Sequence, residues 1–360
     1  MKASRFAAKS AAALLTLLML AVPAAFAAAD DTTVPPPAKE LTSQLTVTAS
    51  SAQELSWAAL DNSRSTKAAL PAGETVTITS EEPMERIYLI WDRTPEHWSI
   101  TCDGEVLDQT ERSFLHDLVE LPRPATEVTI TAEGENGMLC DVYAFAEGEL
   151  PDWVQVWQPP CERADLLVFP THADDELLFF GGTMPYYAAE KDMRVQVVYL
   201  TNHYGEPYRP HELLNGLWTV GIRAYPVMGP FPDYYSESLD HEKSMYGEDE
   251  VLGFQTEMLR RFRPYVVIGH DLGGEYGHGV HQLNAWGLQT IADKTGDPTW
   301  FPESAEKYGV WELPKLYLHL YPENQIVMDW DVPLSAFDGK TAYEVACDGF
   351  ACHASQQATS

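Results

Sequence analysis

Positive charge is scarce in this chain. Twenty-three Lys and Arg stand against 54 Asp and Glu, a formal net charge of −31 at pH 7. A surface of that sign repels phosphate backbones and anionic lipid, so nucleic acid and anionic membrane are poor partners. Cysteine is scarce too. Cys102, Cys140, Cys161, Cys347 and Cys352 form no C-x-x-C pair, which argues against a thiolate zinc site. The odd number leaves at least one thiol over. Where oxidation is permitted, Cys102 with Cys140, Cys347 with Cys352, or either of the latter with Cys161 are the pairings to consider. No internal repeat is visible, and beyond the N-terminus no apolar run is long enough to cross a membrane.

The N-terminus has the pattern of a cleaved secretory signal over residues 1–27. Lys2, Arg5 and Lys9 are its cationic start, Ala11 to Val22 its apolar stretch, and Ala25-Phe26-Ala27 its cleavage site. The expected location is therefore outside the cell or at its surface, with no transmembrane segment after cleavage. Acidity there reads as solubility in a saline exterior. About 330 residues follow, a length that suggests two domains. Ten Trp and seventeen Tyr suit stacking on sugars and suit a large core equally well.

Residues 28–42, with a run of three prolines, read as a linker. From 43 to 150 short apolar or alternating runs predict strands: 45–48, 75–79, 86–91, 127–131 and 141–145. Pro71-Ala-Gly73, Asp103-Gly104 and Glu133-Gly134 separate them. This pattern predicts a small antiparallel β-sandwich. Ala59-Leu-Asp-Asn-Ser-Arg-Ser-Thr66, with Trp57 ahead of it, resembles the early loop of galactose-binding-like sandwiches, which either bind glycans or pack against a catalytic neighbour. A second linker, 151–160, carries Trp153, Trp157 and Pro159-Pro160. In the remainder, 161–360, the rhythm becomes strand, helix, strand. Strands are predicted at 166–169, 194–200, 265–269, 315–320 and 325–330, and helices at 177–190, 211–220, 250–262 and 281–293. Such alternation predicts an α/β fold with a mostly parallel sheet and helices on both faces. Ligands of such sheets sit at the carboxyl ends of the strands.

Two polar clusters fall at those ends. The first is His172-Ala-Asp-Asp-Glu176. His172 and Asp175 are spaced to converge on one ion across a strand-to-helix turn, while Asp174 points elsewhere and stays free to act on water. The competing reading is an Asp-rich helix start, whose carboxylates cap the first turn. The second cluster ends Gly269-His-Asp-Leu-Gly-Gly-Glu-Tyr-Gly-His-Gly-Val-His281, where His278 and His281 open a helix. One of them completes a His-Asp-His set and the other faces substrate. That donor set suits tetrahedral Zn2+ with an open position, and the reaction class is hydrolysis of an amide or ester.

The two clusters also carry a family resemblance. Thr171-His-Ala-Asp-Asp-Glu followed by Gly181-Gly182 resembles the first signature of the PIG-L/LmbE-like zinc deacetylases. Gly274-Glu-Tyr-Gly-His-Gly-Val-His281 resembles the second, and His353-Ala-Ser-Gln356 a late H-x-S-Q segment. The resemblance spans about 160–356 and implies a Rossmann-like three-layer sheet of the PIG-L deacetylase type. It implies removal of an acetyl group from an N-acetylglucosamine-containing sugar or glycan. It makes His172, Asp175 and His281 the zinc ligands and Asp174 the general base that activates a metal-bound water. His278 would stabilise the oxyanion or protonate the leaving amine, and Tyr276 would contact the substrate carbonyl. Arg209 and Asp233 read either as sugar contacts or as ordinary polar surface residues. Three positions depart from the family pattern. Ala173 replaces a proline and should loosen the turn, Gly279 replaces another, and Val280 replaces an aspartate that orients the neighbouring histidine. Asp271 or Glu275 would have to substitute. Glu176 reads as a neighbour of a ligating histidine or as a first-turn carboxylate. Two rivals remain: a zinc amidase acting on a larger conjugate or peptidoglycan fragment, and an inactive surface glycan-binding protein. Oligomeric state is not legible in the sequence.

Overall fold

The computed structural model of the chain describes residues 35–51, 53–109, 114–134 and 137–357. The expected signal, 1–27, lies outside the described residues. Seven strands of the N-terminal half form an antiparallel sheet: β1 (Thr46–Ala49), β2 (Ala68–Leu70), β3 (Thr75–Arg93), β4 (His97–Cys102), β5 (Glu105–Asp108), β6 (His116–Glu133) and β7 (Gly137–Phe145). Their order is β2-β7-β3-β6-β4-β5, with β1 on the early part of β3. A short helix, α1 (Ser56–Ala59), follows β1.

The strands expected at 75–79 and 86–91 are one strand here. β3 runs through Pro83 with register shifts on either side of Met84, so the proline marks a bulge and not an end. Pairing runs continuously through two long strands, β3 and β6, and both halves of β3 contribute to one core. The run Ile87–Trp91 is apolar throughout because both faces are covered. Ile87, Leu89 and Trp91 enter one core with Trp98 and Ile130, while Tyr88 and Ile90 enter another with Phe145 and Val154. The expected linker also contributes to the sheet. Glu40 bridges Phe145, Pro37 bridges Glu149, and Leu41 is fully buried. Disulfides are not formed; all five cysteines are free. Cys102 on β4 and Cys140 on β7 have two strands between them. At about 4.8 Å per strand, that is far beyond disulfide reach.

The second half is α/β. β8 (Leu166–Val168), β9 (Val195–Val197), β10 (Val266–Gly269) and β11 (Lys315–Leu318) pair in parallel, in the order β11-β10-β8-β9. On one face α2 (Asp175–Leu178), α3 (Arg209–Thr219) and α8 (Ala342–Ala351) bury Leu177, Leu213, Leu217 and Val345 against Val168 and Val197. On the other, α4 (Leu239–Tyr246), α5 (Glu248–Phe262) and α6 (Gly279–Ile291) bury Val251, Leu259, Leu283 and Leu288 against Leu167 and Val267. A peripheral helix, α7 (Pro302–Tyr308), packs on α5.

Two expectations fail in this half. The helix read over 177–190 is broken. α2 stops at Leu178, and a separate, wider turn runs over Pro185–Glu190, after the paired glycines. A Cβ on Gly181 would stand 2.4 Å from Leu177 O, and one on Gly182 would stand 2.5 Å from the Trp330 ring. The chain can therefore pass closely here only without side chains. The strand read over 325–330 pairs with no other strand among the described residues; its last residue, Trp330, packs against Gly182 instead.

The two halves meet at the start of β6. The Phe114 ring stacks on Tyr225 at 4.4 Å, and the Leu115 N–H donates to the Tyr225 hydroxyl at 2.9 Å. His116 Nε2 is 2.9 Å from Nδ1 of His211 on α3.

Candidate metal centre

β8 and β10 are neighbours, so the segments leaving their carboxyl ends lie side by side. One brings His172 to Glu176 and the other Glu275 to His281. A cross-link fixes their register: Asn284, fully buried on α6, donates through Nδ2 to Phe169 O (3.0 Å) and Thr171 Oγ1 (2.9 Å). His281 sits one turn earlier on the same helix.

His172 Nδ1, Asp175 Oδ2 and His281 Nε2 form a nearly equilateral triangle. Its edges are 3.0 Å between His172 and Asp175, 3.1 Å between His172 and His281, and 3.1 Å between His281 and Asp175. Tetrahedral ligands at zinc bond lengths stand about 3.3 Å apart, so the triangle fits a small divalent ion. All three side chains are buried. The electrostatics also suit a cation. Burial disfavours charge on His172, yet Asp175 and Asp233 outweigh it and push the imidazole up to about 10. Asp175 is likewise held well below the usual carboxylate range, against its burial, by His281 and His172. The cluster is thus built around positive charge.

His270 also approaches Asp175, at 3.4 Å through Nε2. That nitrogen accepts the Thr171 N–H at 3.0 Å, so its lone pair is engaged and His270 is no ligand. Its Nδ1 is 2.7 Å from Glu275 Oε2. Glu275 gathers three imidazoles in all: His270, His281 at 3.0 Å and His319 at 2.9 Å. They hold its carboxyl far below the usual range although burial opposes this. On the other side, His172 Nε2 lies 3.1 Å from Asp233 Oδ1. Each histidine of the triangle therefore has a carboxylate behind it, the arrangement that fixes tautomer and ring orientation at metal sites.

Asp174 stands apart from the triangle, as the spacing predicts. It precedes α2 but caps nothing with its side chain, which removes the helix-capping reading. Its backbone has φ 121°, a conformation that side chains rarely adopt and that tends to persist at functional sites. Two contacts hold the turn. The Asp174 N–H donates to Glu176 Oε2 at 2.8 Å, and Arg209 Nη2 donates to Ala173 O while lying 3.6 Å from Asp174 Oδ1. Glu176 Oε1 is 3.1 Å from His353 Nε2, so the late histidine motif reaches the first cluster through this carboxylate. Burial and the neighbouring charges of Asp175 and Glu176 push the Asp174 carboxyl up to about 7, with Arg209 and His353 opposing.

His278 lies between Tyr235 and His172, its ring stacked on both at 5.0 and 4.9 Å. Its nitrogens are buried with no hydrogen-bond partner among the described residues. Neither Asp271 nor Glu275 substitutes for the carboxylate missing at Val280: Glu275 turns to His270, His281 and His319, and Val280 itself is core. Burial, with the charges of His172 and His281, takes the His278 imidazole down to about 4. Tyr276 is 77% exposed, at φ 49°, with its ring over His278 at 5.7 Å. The structure places Arg209 beside Asp174 and Asp233 beside His172. His270, His319 and the role of Glu275 were not read from the sequence. The position of His270 at the end of β10 was the available signal.

Residues 166–286 match the PIG-L family, described as GlcNAc-PI de-N-acetylase, and this segment is a PIG-L domain. The chain is 25% identical over 191 residues to 1D-myo-inositol 2-acetamido-2-deoxy-alpha-D-glucopyranoside deacetylase 1 of Catenulispora acidiphila, covering 46% of this chain and 58% of that protein. It is 27% identical over 190 residues to the corresponding deacetylase of Geodermatophilus obscurus, covering 44% and 62%. The chain spans about three-fifths of the length of these curated relatives. Among solved structures, N,N'-diacetylchitobiose deacetylase from Pyrococcus horikoshii aligns at TM-score 0.40 and 16% identity, over 54% of this chain and 72% of that one. No helix among the described residues is long and apolar enough to cross a membrane.

Proposed function

We propose that the PIG-L domain is a zinc-dependent deacetylase that hydrolyses the N-acetyl group of an N-acetylglucosamine-type sugar or glycan, and that the protein is exported by its N-terminal signal. The observation that carries the catalytic reading is the His172/Asp175/His281 triangle with an uncapped, strained Asp174 beside it. His172, Asp175 and His281 would hold the ion; when bound, it supplies a Lewis acid for the amide carbonyl and acidifies a water. Asp174 removes the proton of the attacking water. A carboxyl raised by burial is a stronger base than one in water, and its backbone keeps it off the triangle. Water's oxygen adds to the carbonyl carbon, and the oxyanion faces His278 and Tyr276. Burial and the neighbouring histidines outweigh the nearby Asp175 and Asp233, so His278 serves as a neutral N–H donor and not as the acid. The C–N bond then breaks, the proton held by Asp174 passes to the amine, and acetate leaves.

Acetate release from a panel of N-acetylated mono- and oligosaccharides, with zinc added back after chelation, tests this reading. Zinc-restored release that Asp174→Ala abolishes, with bound metal unchanged by elemental analysis, is the expected result. A larger acid as product would shift the reading to an amidase. Glycan binding without turnover, or undiminished release by Asp174→Ala, would overturn it.

A further inference from the structure

The Ala173 N–H, one residue before Asp174, donates to His203 Nε2 at 3.0 Å. His203 comes from the segment after β9 and is buried, at 5% exposure. Ala173 is therefore clamped on both sides of its peptide unit, its N–H by His203 and its carbonyl by Arg209. A loosened turn is the opposite of what the structure shows. The next residue is the one that must hold φ 121°. Strain of that kind persists only where surrounding contacts over-determine it.

We propose that His203 is a positioning residue for the catalytic base, latching Ala173 through Nε2 and so holding Asp174 in its strained conformation. This rests on the role of Asp174 given above. The latch also fixes the tautomer. An Nε2 that accepts an N–H carries no proton, so the neutral ring bears its proton on Nδ1. Burial keeps the ring neutral, pulling it down to about 4. That Nδ1–H has no hydrogen-bond partner among the described residues and lies 3.6 Å from Glu206 Oε2. Atoms of His203, Glu206 and Asp233 fall within 4.8 Å of one another, a set that by itself resembles a cation site. The tautomer argues against that, because the nitrogen beside Glu206 is a donor. A hydroxyl suits this set better than a cation: it accepts from Nδ1–H and donates its single proton to one of the two carboxylates.

Three substitutions separate the latch from a general packing role. A glutamine oxygen reaches about as far as Nε2 and can accept the Ala173 N–H, an asparagine oxygen falls short, and leucine offers no acceptor. His203→Leu and His203→Asn should lower kcat for acetate release about 10- to 100-fold with metal content unchanged, and His203→Gln should stay within about five-fold of the parent. Nitrogen-15 NMR of the parent should show His203 protonated at Nδ1, and the Ala173 amide should exchange faster in His203→Leu than in His203→Gln. Leucine within two-fold of the parent, asparagine matching glutamine, or a proton on Nε2 would overturn the latch. The NMR and exchange measurements need no turnover, so they judge it even if no N-acetyl sugar proves to be a substrate. A second metal equivalent bound at this cluster would overturn the assignment of Nδ1–H as a donor.

Discussion

Glu275 Oε2 lies 3.0 Å from Nδ1 of His281, whose Nε2 forms one corner of the triangle with His172 and Asp175. The carboxylate thus fixes which nitrogen of His281 turns into the triangle. Glu275→Gln keeps the shape and removes the charge. It should weaken zinc binding about 10- to 100-fold, read by competition with a chromogenic chelator, while saturating zinc restores most of the acetate release. Unchanged zinc affinity would mean that Glu275 serves only to hold His270 and His319.

Gly182 faces the indole of Trp330, with an added Cβ only 2.5 Å from the ring. An indole is rigid and cannot yield as a flexible chain end can. Gly182→Ala should destabilise the protein by about 1–3 kcal/mol, seen as a lower urea midpoint. Trp330→Ala in the same chain should remove most of that additional loss, because the clash has one partner.

The His116/His211 pair should make stability fall in mild acid. Gln155 Oε1 accepts from the Trp157 indole N–H at 2.9 Å and lies 2.7 Å from His116 Nδ1, so Nδ1 is the donor and Nε2 the acceptor of the His211 Nδ1–H. Both rings must be neutral for this chain to close. Burial, with like charge from His211 and Arg64, takes His116 well below 6.5, and burial with Arg64 takes His211 down to about 4. The unfolded chain therefore binds protons that the folded one refuses. Nothing is lost above pH 6.5, and stability drops as pH falls from 6.5 towards 4, by up to about 3 kcal/mol from His211 alone. His211→Asn keeps a donor near Nδ1 without the titration. Its urea midpoint should change less between pH 7.5 and pH 5 than the parent's. Equal slopes would remove this pair from the acid response.

Free thiols are the expected state of all five cysteines. Alkylation of the unreduced, denatured protein should add five groups by mass. Two or four missing adducts would show a disulfide that the strand order forbids for Cys102 with Cys140.

How legible a residue was depended on where its partners lie in the chain. His172, Asp174, Asp175 and His281 stand beside strand ends or helix starts that apolar runs reveal. The parallel pairing of β8 with β10 then brings the two clusters together without further information. His203 and His319 were not legible, because each acts on a residue 30 or more positions away and sits in no pattern of its own. The same holds for the fold. β10 and α5 are self-contained signals, one an apolar run and the other an amphipathic helix stopped by Pro264. β3 hid behind Pro83, where a proline that usually ends a strand only bulges one. Gln325–Trp330 carries a short apolar run like a strand's, yet it stays unpaired among the described residues, and contact with Gly182 accounts for Trp330.

Asp233 is where the two lines of reasoning differ most, and one substitution separates them. The family resemblance makes it a sugar contact, whereas the structure sets Oδ1 3.1 Å from His172 Nε2. If His172 binds an ion through Nδ1, its Nε2 must carry a proton, and Asp233 accepts it. Asp233→Asn leaves an acceptor but no charge, so an orienting role predicts weaker zinc binding, about ten-fold or more, with KM little changed once zinc saturates. A pure sugar contact predicts the reverse: unchanged zinc affinity and a raised KM. The carboxylate is also one-third exposed, with a side-chain value of 35%, so its other oxygen is open to substrate. Both quantities moving together would mean that one side chain orients the ligand and meets the sugar, and Asp233→Ala should then deepen both losses.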